Sequence, residues 1–280
     1  MQLARGGRLP VGEAVSARSR SEYVQSLDRG LAVIRAFDAD HQRLTLSEVA
    51  DRTGLTRAAA RRFLHTLRGL GYVSLEGRQF FLRPRLLELG YSYLSTLSIP
   101  QLAAPHIEQL ACVAGESVSI SVLDGSDVVY VARIASRRIM SVDLSVGTRL
   151  PAYVTSMGRV LLAALPSSEV DQHLGDLVRR TERTLTDRAR LLAELQKVRE
   201  QGWAVVDEEL EDGLRSLAVP VHDSLDQVVA ALNISTVAPR AAVETFVAEQ
   251  LARLLKTAAA ISAAVQEQTR VTARPAGFGL

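Results

Sequence analysis

Arg57, Arg61, His65 and Arg68 fall at i, i+4, i+8 and i+11, a spacing that sets them in one row along a helix. Arginine pairs in bidentate fashion with guanine edges and also neutralises phosphates, so such a row in a major groove would both read and hold DNA. From Arg57 to Leu70 there is no acidic residue, and Arg62 and Thr56 border the row. A solvated basic helix face would look the same, so the row alone leaves two readings open.

A second group is Thr155-Ser156-Met157-Gly158. Where a loop enters a helix, its hydroxyls and free backbone N–H groups could hold a carboxylate with help from the helix dipole. Ordinary N-capping accounts for the same residues. The acidic run Asp207, Glu208, Glu209, Glu211 and Asp212 reads as a solvated loop in preference to a metal site. There is no Gly-rich phosphate loop, no G-x-S-x-G elbow and no H-E-x-x-H. His41, His65, His106, His173 and His222 stand apart, and the lone Cys112 leaves no zinc spacing. The expectation is a protein without catalytic apparatus, metal or cofactor, whose single thiol is buried in a reducing compartment.

These groups need elements to position them. Residues 1–21 mix Gly, Ser and Arg without periodicity and read as a flexible arm. Val24, Leu27, Leu31, Ile34 and Phe37 recur at helical spacing and predict a first helix with one apolar face. Thr45 and Glu48 form a capping box for a second helix, buried through Leu46, Val49 and Ala50 and stopped by Gly54. Thr56 caps a third helix that runs to about Leu70 and packs through Ala60, Phe63, Leu64, Leu67 and Gly71. That is helix-turn-helix spacing, and it favours the recognition reading of the basic row. Tyr72 to Leu75 and Gln79 to Leu82 flank Glu76-Gly77-Arg78 as a hairpin, a wing whose tip residue Arg78 would touch the sugar-phosphate backbone or a minor groove. Pro84 then opens a linker helix carrying Leu86, Leu87, Leu89 and Leu94 and ending near Pro100.

Beyond Pro100 the pattern is mixed. A helix from Gln101 to Ala114, closed by Gly115, precedes a strand from Ser117 to Leu123 in which Val118, Ile120 and Val122 alternate. A turn at Asp124-Gly125-Ser126-Asp127 leads to a strand over Val128 to Ile134, and a third strand is predicted over Ile139 to Leu144. Val146 to Arg159 reads as a loop turning into a helix. Helices follow around Ser168 to Leu174 and Arg188 to Gln201, with strands near Trp203 to Val206, Leu217 to Val221 and Val228 to Ile234. A long helix from Ala241 closes the chain before a disordered tail after Gln268. The fold class is α+β with a mixed or antiparallel sheet. The predicted boundaries are arm 1–21, winged helix-turn-helix 22–83, linker helix 84–99, α+β domain 100–268 and tail 269–280.

Composition supports two globular parts. The 280 residues are 47% apolar and 23% charged, the balance of a soluble protein, and exceed what one core usually serves. No apolar run approaches the ~18 residues of a membrane span. Met1 to Arg20 holds Arg5, Arg8, Arg18 and Arg20 with no hydrophobic stretch between them, so it is no secretory signal, and a cytoplasmic location is expected. Residues 1–90 carry 15 Lys/Arg against 9 Asp/Glu, whereas the remainder carries 18 against 22. A basic front on an acidic body points to a polyanionic partner for the first part.

From Tyr23 to Gln268 the chain resembles the IclR family of bacterial regulators. The resemblance is carried by Ser26-Leu27-Asp28-Arg29-Gly30-Leu31, Ala58-Ala59-Ala60-Arg61-Arg62-Phe63-Leu64, Met140-Ser141-Val142, Val146-Gly147-Thr148-Arg149-Leu150-Pro151-Ala152 and Asp207-Glu208-Glu209-Leu210. Arg57 to Leu64, with Thr155-Ser156-Met157-Gly158-Arg159-Val160-Leu161-Leu162-Ala163, is similar to the β-ketoadipate-pathway branch, the PcaR/PcaU/PobR type. The resemblance implies a winged helix-turn-helix that binds a double-stranded operator, a GAF-like effector-binding domain, dimerisation largely through the DNA-binding domains, and often a dimer of dimers. It implies a pocket at Ser156, Met157, Asp207, Ser216, Leu217, Asn233 and Ser235, although several relatives differ at Ser216 and Asn233. The branch implies protocatechuate, 4-hydroxybenzoate or β-ketoadipate as effector, with Arg133 or Arg149 supplying charge unless either is paired with a neighbouring carboxylate. The alternatives are a family member sensing a short-chain acid or a drug, and a GAF-like sensor or enzyme without DNA function.

Overall fold

A computed structural model describes residues 23–89, 99–136, 144–238 and 242–272. The chain divides into two compact units, Met1–Tyr93 and Leu94–Leu280.

In the first unit α1 spans Gln25–Arg35, α2 Leu46–Thr53 and α3 Arg57–Gly69. The Thr45–Glu48 capping box forms in full, and Gly54 ends α2 in the left-handed region at φ 67°. The Thr56 hydroxyl accepts the Ala59 N–H at 3.2 Å and starts α3 two residues later. Ala60, Leu64 and Leu67 point inward from α3 and meet Val33, Val49 and Phe80. The face expected of α1 holds at its end, where Ile34 packs against the core and Phe37 is buried, and is corrected at its start. Val24, Leu27 and Leu31 are exposed, and the buried residues are Val33 and, just past the helix, Ala36 and Phe37. Gly30 lies against Phe63 of α3, so the inward face is the one that begins at this glycine. Two apolar stripes share the helix, and packing on α3 selects the second.

Strands β2 (Val73–Glu76) and β3 (Gln79–Leu82) form the hairpin, with Glu76 opposite Gln79 across Gly77-Arg78. Gly77 takes φ 57°, which a two-residue hairpin turn requires at its first central position. A short strand not foreseen, β1 (Leu44–Thr45), pairs with β3 and gives the order β1-β3-β2. Pro84–Leu86 is a 3-10 turn, and the rest of the predicted linker helix lies mainly on 90–98, outside the described residues.

The second unit is built on a six-stranded antiparallel sheet of order β6-β5-β4-β9-β8-β7. Its strands are β4 (Ser117–Asp124), β5 (Asp127–Ile134), β6 (Arg149–Pro151), β7 (Ala204–Asp207), β8 (Leu214–His222) and β9 (Val228–Val237). Helices α4 (Ile99–Ala114) and α8 (Val243–Thr272) cover one face. The other face carries α5 (Ser156–Ala164) and α7 (Arg188–Gln201), with the short α6 (Ser167–Val170) between them in sequence. Because side chains alternate along a strand, Val118, Ile120, Leu217, Val219, Leu232 and Ile234 enter the α4/α8 core. Ser117, Ser119, Ser121, Ser216, Asn233 and Ser235 lie at the alternate positions, and all of them are buried.

Several boundaries move. Helix α4 starts at Ile99 and includes Pro100, which costs little in a first turn whose N–H groups have no intrahelical acceptor. The strand expected over Ile139 to Leu144 falls outside the described residues except at Leu144, which is not in a strand. β6 pairs with β5 where a loop was expected. Ser168 to Leu174 is a four-residue helix followed by a 3-10 turn, and α8 continues through Thr272, past the expected end at Gln268. The sheet is antiparallel throughout rather than mixed. Cys112 is exposed, not buried, because it sits on the outer side of α4.

Candidate functional site

The first candidate surface is the outer side of α3. Arg57, Arg61, Arg62, His65 and Arg68 are exposed, as is Arg78 at the hairpin tip. Among the described residues none of the six makes an ion pair or a side-chain hydrogen bond. By contrast Arg43, Arg52 and Arg85 of the same unit are paired with Glu76, Asp38 and Glu88. With no acid in its first turn, α3 also presents the positive end of its dipole beside Arg57. The capping hydroxyl of Thr56 still has its O–H free to donate, since capping uses it only as an acceptor.

The second candidate is a pocket between α5 and the polar face of the sheet. It is lined by Tyr130, Arg133, Leu144, Val154, Thr155, Ser156, Met157, Val206, Leu210, Leu214, Ser216, Asn233 and Ser235. Thr155 caps α5 by accepting the Gly158 N–H at 3.0 Å, which leaves the amides of Ser156 and Met157 in a first turn without intrahelical acceptors. Gly158 has no alternative: a Cβ there would stand 2.1 Å from the Ala152 carbonyl oxygen. The Arg133 Nη1 donates to Ser119 Oγ at 3.2 Å, and Asn233 Nδ2 donates to Ser235 Oγ at 3.0 Å. Ser156 Oγ, Asn233 Oδ1 and, on the same sheet face, Ser121 Oγ are buried with no hydrogen-bond partner among the described residues. Burial pushes the Tyr130 phenol up to about 12, so it remains a neutral donor. The enclosed free volume is about 20 Å³, room for about one water.

The expected pocket residues are thus gathered with three exceptions. Leu217 enters the α4/α8 core, because one step along β8 from Ser216 reverses the side chain. Asp207 accepts from Arg183 Nη1 and Arg215 Nε, each at 2.6 Å. Arg149 is paired at the surface with Asp124 and Asp127 of the β4–β5 turn, and does not line the pocket. The acidic run is not a freely solvated loop: Glu208 faces Arg183, and Glu209 accepts from the buried Arg159 at 2.6 Å. No group of three potential metal-binding side chains occurs among the described residues. The linings by Tyr130, Leu144, Val154, Val206, Leu210 and Leu214 were not foreseen. For Tyr130 a signal was present in the alternation of β5, which sets it on the same face as Val128.

Comparison with known proteins decides the family. The profile of the IclR helix-turn-helix domain matches residues 26–77, and that of the bacterial transcriptional regulator IclR C-terminal domain matches 91–263. The chain belongs to the IclR family. It is 50% identical over 218 residues to the Pca regulon regulatory protein of Pseudomonas putida, covering 77% of this chain and 75% of that one. A crystal structure from Rhodococcus sp. RHA1 superposes with TM-score 0.78 at 55% identity, covering 87% of this chain and 98% of that chain. An IclR homolog from Microbacterium hydrocarbonoxydans, crystallised with 4-hydroxybenzoate, superposes with TM-score 0.76 at 26% identity, covering 86% and 99%. As an IclR-family member the protein is a transcriptional regulator, with the helix-turn-helix match ending at the wing turn and the C-terminal match spanning the whole sheet. No helix among its described residues is long and apolar enough to cross a membrane.

Proposed function

We propose that this IclR-family protein is a cytoplasmic, non-enzymatic regulator that binds an operator through α3 and the wing and responds to a small carboxylic acid held beneath α5. Residues 22–83 form the DNA-binding domain, 84–99 the linker, and 100–268 the effector-binding domain. Arg57, Arg61, Arg62, His65 and Arg68, with Thr56, contact the groove, and Arg78 contacts the backbone. The acid meets Arg133, the Thr155 to Met157 turn, Ser216, Asn233 and Ser235.

The observation that carries this reading is the set of buried groups without partners, Ser156 Oγ and Asn233 Oδ1, facing one pocket with a guanidinium. Buried polar atoms left unpaired are costly, and a polar ligand removes that cost. The likeness to a Pca regulator and to a homolog bound to 4-hydroxybenzoate supports an effector from aromatic-acid catabolism: 4-hydroxybenzoate, protocatechuate or β-ketoadipate. A free volume of about 20 Å³ admits none of these until lining side chains shift. The exposed Val24 at the N-cap of α1 and Leu27 and Leu31 on it support pairing of two copies through the DNA-binding units.

Calorimetry with the three acids tests the pocket. Binding of at least one, abolished by Ser156→Leu, is the expected result; no binding by any overturns the reading. Footprinting tests the other half, where Arg57→Ala with Arg61→Ala should erase a palindromic or repeated footprint and leave acid binding intact. An unchanged footprint would remove α3 as the recognition helix.

A further inference from the structure

Arg159 is 2% exposed, yet it carries a full charge inside the second unit. It lies three residues after Ser156 on α5 and is not among the residues that line the pocket. Its Nε donates to the Tyr153 carbonyl at 3.0 Å and its Nη2 to Glu209 Oε2 at 2.6 Å. The same carboxylate oxygen accepts the Leu185 N–H at 2.9 Å, and the Glu209 carbonyl accepts the Thr184 hydroxyl at 2.7 Å. Glu208 takes the left-handed φ of 58° and its carbonyl accepts the Thr181 hydroxyl at 2.7 Å. Leu210 follows on the same loop, Leu214 begins β8 at its end, and both line the pocket.

Two walls of the pocket, the first turn of α5 and the loop after β7, therefore meet through one ion pair. We propose that Arg159 and Glu209 are positioning residues for effector binding, a clasp that fixes the gap between Ser156–Met157 and Leu210–Leu214. The proposal rests on the effector reading above and adds to it a requirement that residues outside the pocket set its affinity. A buried pair is poorly explained by stability alone, because apolar residues of similar volume commonly serve as well. Holding two binding walls at a fixed separation is what preorganises a site.

The test is calorimetric titration of the full-length protein with 4-hydroxybenzoate, protocatechuate and β-ketoadipate, well below the lowest melting temperature, with thermal unfolding followed in parallel. Arg159→Met and Glu209→Met should each raise the Kd at least tenfold. The double variant should bind no more weakly than the worse single one, the non-additivity expected of residues acting as one unit. Arg159→Lys should recover part of the loss, since an ammonium reaches Glu209 or the Tyr153 carbonyl but lacks the planar fork for both. Operator binding without acid should stay as in the wild type.

If Arg159→Met does not fold, Glu209→Gln keeps an oxygen for the Leu185 N–H while removing the charge, and should raise the Kd at least threefold. A Kd within twofold of wild type in the folded single variants, with only the melting temperature lowered, overturns the clasp and leaves the effector reading standing. A wild-type protein that binds none of the acids overturns both.

Discussion

Gly158 holds a site together by an atom it lacks. Its Cα packs so close to the Ala152 carbonyl that the first turn of α5 could not be where it is with any side chain present. Gly158→Ala is expected to cost roughly 1–3 kcal/mol, the range for overpacking, seen as a lower urea midpoint of the C-terminal unit, with acid binding weakened as well. An unchanged midpoint would show that Ala152 can retreat. At the other end of the chain, Arg78 stands at a hairpin tip without a partner among the described residues. If it touches phosphate, Arg78→Ala weakens binding to all operators alike and lowers the slope of log K against log salt by about 1. Loss confined to one base position would instead mark it as a base reader. The basic row was legible in the sequence because exposed chemistry on a helix follows directly from spacing. Arg149 was not, since its partners Asp124 and Asp127 become neighbours only when β6 pairs with β5. The pair Ser216 and Leu217 failed by half, because the face of a strand changes with every residue.

Caps and strand faces act at the scale of elements. The Glu48 carboxyl accepts the Thr45 N–H at 2.7 Å and the Thr45 hydroxyl at 2.8 Å, and these bonds hold it below the ordinary carboxylate range. A depressed folded-state pKa means that the box adds stability above the unfolded value of about 4.3 and loses it as pH falls through the lower folded value. Glu48→Gln should therefore destabilise the first unit at pH 7, with the difference from wild type shrinking toward pH 3 in denaturant melts. A difference that grows on acidification would contradict the assignment. Thr45→Ala should cost about 1 kcal/mol at neutral pH by the same melts.

The capping box was readable because its partners lie three residues apart. The strand Ser117–Asp124 was readable only as a strand, from the alternation of Val118, Ile120 and Val122. Both faces are buried, and the serines stand under α5. Alternation records polarity, and buried polarity resembles polarity in water.

For the whole molecule, the division into a basic first part and an acidic second was visible in composition, and the α+β class followed from the mixture of periods. Strand order was not visible. β9 lies between β4 and β8 although it is last in the chain, an arrangement set by the packing of long-range partners. The stripe Val24, Leu27 and Leu31, read as core from its period, is exposed in the single chain, and the proposed pairing of two copies is what would cover it. Leu27→Glu should shift the protein toward monomer in sedimentation and weaken the operator footprint, while acid affinity per chain is unchanged. A variant that remains dimeric would place the contact between copies elsewhere.

The two-sided strands β4, β8 and β9 carry a consequence for how such a regulator changes over time. Their Val, Leu and Ile positions supply the core with α4 and α8, while the intervening Ser and Asn positions face α5. Ligand preference can therefore drift through one register of residues while the other register keeps the domain folded. On the proposed reading, a lineage can acquire a new effector by exchanging small polar side chains, and each intermediate retains a folded domain on which selection can act.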